Sequence, residues 1–436
     1  MTRILGIELR RSAALGSALT VFVVGTLLLY FAEGIAFATG WMQLAMTQRL
    51  FLALLWPIAL AAGAWQASRE HRSKVGELFA STPRPIHLRV IPILAAMTLA
   101  VTAGYLAMGV AGGLWIVRTA AYVPAQAFVV TAVGVLSLVA AVWLGLAVGR
   151  LLPWRATAPV LAVAGLGLLL GIPAATRPRG WLALVFSPIT EMNMPDAYTT
   201  VPARASAAQA LWMAALAVTA LLLFASRSWR GRVAALLPVV VGAALAITVM
   251  PHQNRYVIDA IDPVARELVC EDRVCVSRVH SGLLPEIAGP AREALTIMAK
   301  LPGAPTRVHE DTTTYRPDVH PEPDPAVALL RVEVGTDGHV KDRDGLLAEV
   351  VAGAFRNPPS CDDPGLQTDQ LAAAYWLIGR EPVISAEYPA DVGAEIVALW
   401  SRLRELPQDE AQSRVVALRA AGQRCAGVSL FGESTS

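Results

Sequence analysis

Residues 125–149 read AQAFVVTAVGVLSLVAAVWLGLAVG, a run without one charged side chain. A helix needs about 20 apolar residues to cross the hydrocarbon core of a bilayer, so this stretch is long enough for one crossing. Working outward, similar charge-free runs lie at about 13–32, 50–68, 90–112, 156–175, 206–226 and 233–251. The pattern predicts seven transmembrane helices over 13–251, and no comparable run follows residue 251. At 55% hydrophobic and 16% charged, the 436-residue chain is too apolar for an ordinary soluble protein. Trp41, Trp65, Trp115, Trp154, Trp181 and Trp229 fall near span ends, where aromatic rings anchor at the interface.

All four cysteines, Cys270, Cys275, Cys361 and Cys425, lie behind the last run. Disulfides persist in oxidising compartments, so residues 252–436 read as an extracellular domain. Charge divides in the same way. Residues 1–250 carry 18 Lys/Arg against 6 Asp/Glu, and residues 251–436 carry 18 against 28. The acidic tail argues against nucleic-acid binding. With a cytoplasmic N-terminus, the inner segments hold thirteen basic residues. The outer loops hold five: Arg49, Arg118, Arg177, Arg179 and Arg204. That bias obeys the positive-inside rule and also puts the tail outside. Arginine outnumbers lysine heavily, a usage associated with GC-rich bacterial genomes, and the expected location is the bacterial plasma membrane.

The runs contain almost no ionisable side chains, which weakens an ion-coupled transporter or proton pump. No Gly-x-Ser-x-Gly nucleophile and no Gly-x-x-x-x-Gly-Lys-Ser/Thr phosphate loop occurs, so any ATP and Mg would be held by a separate chain. The chain itself is expected to hold no cofactor and to be no enzyme. Small-xxx-small pairs at Gly109/Gly113, Gly145/Gly149 and Gly167/Gly171 permit close helix packing, within the bundle or at a dimer seam.

The longest inner loop begins Ser68-Arg69-Glu70-His71-Arg72 and continues Glu77-Leu78-Phe79-Ala80-Ser81-Thr82-Pro83. Val75, Leu78 and Phe79 form one apolar stripe, and Pro83 and Pro85 stop the helix. This loop resembles the coupling helix of ABC-2 type transporter permeases. Ile4–Arg11, with Glu8, Arg10 and Arg11, resembles that family's interfacial elbow helix at 1–12. The loop 177–205, with Phe186-Ser187-Pro188, sits where the family often has a short outer re-entrant segment. The resemblance covers about residues 1–226. It implies a six-span permease core, here with one span added, that pairs with a second permease copy or homologue. It also implies drive from a cytoplasmic ABC ATPase, usually for export. The docking residues it implies are Arg69, Glu70, Arg72, Glu77, Leu78, Phe79 and Pro83.

The tail, 252–436, reads as α+β. Val269–Val276 reads as a hairpin closed by a Cys270–Cys275 bridge, and Cys361–Cys425 pair by default, although four cysteines allow three pairings. Helices are expected at 285–301, 343–356, 367–379, 391–405 and 408–422, and strands at 304–311 and 327–334. Leu346–Phe355 resembles the zinc helix of a gluzincin peptidase, with Glu349 in the catalytic position and Ala348 and Ala352 where that family has its histidine ligands. That resemblance implies a peptidase-like domain without metal. His280, His309, His320 and His339 lack ligand spacing and read as surface histidines. A receptor-like protein, binding a ligand outside and signalling through the spans, is the alternative to the permease.

Overall fold

The computed structural model describes residues 13–32, 37–69, 87–189, 197–226, 228–253, 260–313, 324–355, 367–384, 388–422, 424 and 429–432, with side chains from 90 onward in the third segment. They divide into two compact units. The first draws on Met1–Ile116, Val123–Met194 and Thr199–Ile261, and the second on Val117–Tyr122, Pro195–Tyr198 and Asp262–Ser436.

The first unit is helical. Its helices are α1 (Ala14–Phe31), α2 (Trp41–Leu50), α3 (Leu52–Ala67), α4 (His87–Ile116) and α5 (Ala125–Leu151). They continue as α6 (Thr157–Ala175), α7 (Gly180–Phe186), α8 (Ala203–Ala225), α9 (Trp229–Ala234) and α10 (Leu237–Val249). Among the described residues six stretches are long and apolar enough to cross a membrane: α1, Val90–Ile116, α5, α6, α8 and Trp229–Val249. The pair α2 and α3, bent by 51°, makes a seventh if it is one span. This set suggests a multi-pass membrane protein. The run expected at 50–68 therefore belongs to a longer element that starts at Trp41 and breaks at Phe51.

Glycine decides how the central helices meet. A Cβ on Gly149 would stand 2.6 Å from the Ala64 carbonyl oxygen. On Gly145 it would run into the Leu60 carbonyl, and on Gly63 into that of Val142. Helices α3 and α5 thus touch backbone to backbone, as small residues allow. Gly109 and Gly113 make room for Gln48 and Trp41, while Gly167 and Gly171 on α6 face open space. The start of α1 is tied to α3, because the Ala13 N–H donates to Gln66 Oε1 at 2.9 Å and so relieves an orphan helix-end donor.

The second unit carries a four-stranded mixed sheet of β1 (Leu268–Glu271), β2 (Val274–Ser277), β3 (Arg307–Glu310) and β4 (Val327–Leu330), in that order. Strands β1 and β2 form the expected antiparallel hairpin, with Cys270 opposite Cys275 and the two joined as a disulfide. Asp272 turns it at φ 53, a left-handed conformation that Asp tolerates better than most residues. The remaining pairs are parallel. After the short α11 (Pro263–Arg266), helix α12 (Leu284–Met298) lies between β2 and β3 in the chain, where a helix is expected at 285–301. Its buried stripe of Leu284, Ile287, Ala291, Leu295 and Met298 joins Val274, Val276, Val308 and Leu330 in one core. The α13 (Leu346–Ala352), α14 (Gln367–Ile378), α15 (Ala390–Glu405) and α16 (Gln408–Gly422) helices complete that core. Helix α13 is shorter than the expected 343–356, and Gly353, just past its end, is pressed against the Leu329 carbonyl, where a side chain would clash. Cys361 and Cys425, expected to pair, lie outside the described residues.

Short segments far away in sequence complete this unit. The Tyr122 hydroxyl donates to Asp262 Oδ2 at 2.7 Å, and the Asp262 N–H donates to the Tyr198 carbonyl at 2.9 Å. Burial and then Asp262 push the Tyr122 phenol up to about 12. Thr119 packs so closely on Gly282 that a Cβ there would strike its carbonyl oxygen.

Candidate functional site

Among the described residues of the helical unit, one guanidinium is buried. Arg49, the penultimate residue of α2, is 1% exposed. The charge tally of the sequence treats it as an outer-loop cation, and the structure corrects this: it is a helical residue inside the bundle. Its Nε and Nη2 donate to the Pro188 carbonyl at 3.1 and 2.9 Å, and Nη2 also donates to Gln209 Oε1 at 3.0 Å. The Gln209 amide donates in turn to the Leu184 carbonyl at 2.8 Å, and the Trp212 indole donates to the Phe186 carbonyl at 3.2 Å.

These three carbonyls lie at and just beyond the end of α7. A helix leaves its last four carbonyls without intrahelical partners, and its C-terminus carries partial negative charge. In an apolar surround with no water, each such group needs a partner. Here side chains of α2 and α8 supply them, and the cation stands at the negative end of the short helix. The Phe186 ring lies edge-on to Trp212 at 4.9 Å, and Leu184, Val185, Ala205 and Ala208 seal the neighbourhood. Beside α2, Gln48 Nε2 donates to the Tyr105 carbonyl at 3.4 Å. Among the described residues the fully buried Tyr105 hydroxyl finds no hydrogen-bond partner, and it fits against Gly134. Among the described residues no carboxylate pairs with Arg49. The cluster can clamp and position a segment.

Of the residues singled out in the sequence, Arg69 is exposed beyond the end of α3. Glu70, Arg72, Glu77, Leu78, Phe79, Pro83, Glu8, Arg10 and Arg11 lie outside the described residues. Arg49 escaped notice because a charge-free window centred on 50–68 excludes it. A signal was present: Gln43, Thr47, Gln48 and Arg49 punctuate an otherwise apolar segment. Nothing local marks Gln209 or the carbonyl of Pro188 as its partners.

In the second unit, Glu349 is half-buried and accepts a hydrogen bond from the Tyr388 hydroxyl at 3.0 Å. Ala348 and Ala352 belong to the hydrophobic core. His280 is not a surface residue; it is 4% exposed and its Nδ1 lies 2.6 Å from Glu310 Oε1. Glu310, 3% exposed, also accepts from the Tyr198 hydroxyl and from the Ser277 N–H, the latter at 2.7 Å. Burial alone would raise the Glu310 carboxyl. The charge of His280 and the hydrogen bonds from His280, Tyr198 and Ser277 more than offset it, so its pKa falls below the ordinary value.

A depressed folded pKa means that the carboxylate's stabilising contribution is complete above the ordinary glutamate range and fades as the pH falls through the lowered value. Glu310→Gln should therefore destabilise the protein by about 2–4 kcal/mol at neutral pH, because His280 loses its anion inside the core. The difference from the native protein should shrink in acid. Chemical denaturation followed from neutral to acid pH checks both points, and a constant difference across that range would contradict the assignment.

Comparison of the chain with protein-family models, with curated proteins and with solved structures finds no match.

Proposed function

We propose that this chain is the membrane-spanning permease subunit of an ATP-driven transporter of the ABC-2 type. On this reading it is an exporter in the bacterial plasma membrane. It works beside a second permease copy or homologue and takes its energy from a separate cytoplasmic ATPase that binds ATP and Mg. The observation that carries the reading is the charged segment 69–82, with Glu77-Leu78-Phe79-Ala80-Ser81-Thr82-Pro83, placed between two long apolar helices, α3 and α4. A short amphipathic stretch joined to two helices at once is a lever: push it and both tilt.

Two features of the helical unit support this. The bent pair α2 and α3, and the short α7 clamped at its end, give the bundle interrupted helices of the kind that line transport paths. Among the described residues the buried polar side chains of this unit are amides, hydroxyls and Arg49, with no carboxylate, which suits a path worked by an external motor better than a proton relay.

On this reading the N-terminus is inside and the C-terminal domain outside, and seven alternating spans would put the two on opposite sides. Val117–Tyr122, Pro195–Tyr198 and Asp262–Ser436 are the segments that this alternation assigns to one side, and all three join in the second unit. Removing Arg49 from the outer tally leaves thirteen inner basic residues against four outer ones, a stronger bias in the same direction.

The test is Phe79→Asp beside Leu78→Asp in the full-length protein. Either change would put an unpaired charge into the groove of the partner ATPase, where buried anchors dominate binding. Both variants should insert normally and lose at least about tenfold in co-purifying ATPase, the equivalent of roughly 1.4 kcal/mol. Assembly and coupled ATP hydrolysis equal to the native protein in both variants would remove the permease reading and favour a receptor.

A further inference from the structure

One end of the helical unit gathers exposed arginine and tryptophan. Arg150, in the last turn of α5, reaches across to the end of α8: its Nη1 donates to the Phe224 carbonyl at 2.6 Å, and its guanidinium lies 5.1 Å from the Phe224 ring centre. That bond brings together the two chain turns that follow these helices. The first, before α6, carries Trp154 and Arg155. The second, with α9, carries Trp229, Arg230 and Arg232. Both tryptophans are largely exposed, at 69% and 70%, and all four arginines are exposed. Arg230 lies over the Trp229 ring at 5.7 Å.

No acidic residue occurs in the sequence between 78 and 190 or between 197 and 258, so these stretches supply nothing to neutralise the cluster. None of the described carboxylates pairs with Arg155, Arg230 or Arg232. No residue of α9 is buried, and Val233, 60% exposed, stands beside its arginines, so apolar and cationic groups share one short helix.

We propose that this end of the helical unit is a docking surface for the phosphate headgroups of anionic phospholipids, an inference that rests on the reading that these helices span a bilayer. Charge complementarity selects the partner. Guanidinium matches phosphate with paired N–H donors, where an ammonium offers only a point charge. Indole rings settle at the depth of the headgroups, with an apolar body and one polar N–H. Arginines placed beside such rings meet lipid phosphates at their own level, and the attraction extends about one Debye length into water. Anionic lipid would then hold the α5–α6 and α8–α9 turns together from outside, as the Arg150–Phe224 bond does from within.

The test uses the full-length protein in vesicles of phosphatidylcholine mixed with phosphatidylglycerol, one of the two lipids brominated near the headgroup, at equal mole fraction. The signal of Trp154 and Trp229 is the difference between the native protein and Trp154→Phe/Trp229→Phe. Brominated phosphatidylglycerol should quench that difference signal at least about twofold more than brominated phosphatidylcholine. The preference should vanish in Arg155→Gln/Arg230→Gln/Arg232→Gln and fade in the native protein as salt rises. These residues are exposed, so an unchanged melting temperature of the variant confirms its folding. Should the variant fail to fold, the salt titration of the native protein carries the test alone. Equal quenching by both lipids in the native protein at low salt overturns the proposal and leaves the membrane reading standing. A preference that survives the triple substitution or high salt also overturns it. Quenching by neither lipid removes both readings. Equal lipid quenching together with an acidic protein that co-purifies only with the native arginines would assign the surface to that protein instead.

Discussion

Arg49→Met should rank among the most damaging single substitutions in the helical unit. The change keeps length and apolar bulk but removes every donor that Arg49 sends to the Pro188 carbonyl and Gln209. Two opposing effects compete. Burying a guanidinium is costly, and methionine relieves that cost. The stranded acceptors stay behind, each worth about 1–3 kcal/mol when buried without a partner. The second effect wins, because both acceptors, the Pro188 carbonyl and Gln209 Oε1, are buried, and the expected loss is about 2–4 kcal/mol. Arg49→Lys should fall between, since an ammonium keeps the charge without the fork that reaches two acceptors. Gln209→Leu touches the same network, so its effect should not add to that of Arg49→Met. Thermal unfolding of the purified protein in detergent reads all three. A melting temperature for Arg49→Met within error of the native protein would show that the clamp bears no weight.

Gly145→Ala is the second large effect. Elsewhere in a helix the change would stabilise by up to about 1 kcal/mol through backbone propensity. At Gly145 the new Cβ would strike the Leu60 carbonyl, part of the backbone of α3, which cannot swing aside as a side chain can. The two helices must separate, and overpacking of this kind costs about 1–3 kcal/mol. Gly167→Ala is the matched control, since nothing lies within 4 Å of its Cβ. The control should be neutral or slightly stabilising, and Gly145→Ala clearly destabilising, in the same unfolding assay. Equal effects at the two sites would mean that the α3–α5 contact is not as close as described.

The two glycine pairs also show where pattern reading stops. In sequence, Gly145/Gly149 and Gly167/Gly171 are the same motif, and either could pack inside the bundle or at a seam. Only the path of α3 distinguishes them, because a glycine's role depends on what lies opposite it. The histidines noted in the tail divide in the same way, His320 lying outside the described residues. His280 and His339 look alike in the sequence, yet His280 is shut in beside Glu310, whereas His339 stays partly exposed beside Glu286.

What the sequence determined by itself is what depends on composition over a window. Charge-free length marks the apolar helices, because crossing hydrocarbon is a demand on length and polarity alone. The hairpin at Cys270 and Cys275 and the helices of the tail are equally local, written in turn residues and in the 3.6-residue stripe of Leu284–Met298. The tertiary structure alone decided what depends on partners distant in the chain. Phe51 breaks a helix although neither glycine nor proline lies beside it, and the neighbouring Arg49 is held to Pro188 and Gln209, 139 and 160 residues away. Tyr198 meets Glu310 across 112 residues. A buried polar group must find a partner, but any of many carbonyls or carboxylates can serve, and only the folded path of the chain chooses which one comes within reach.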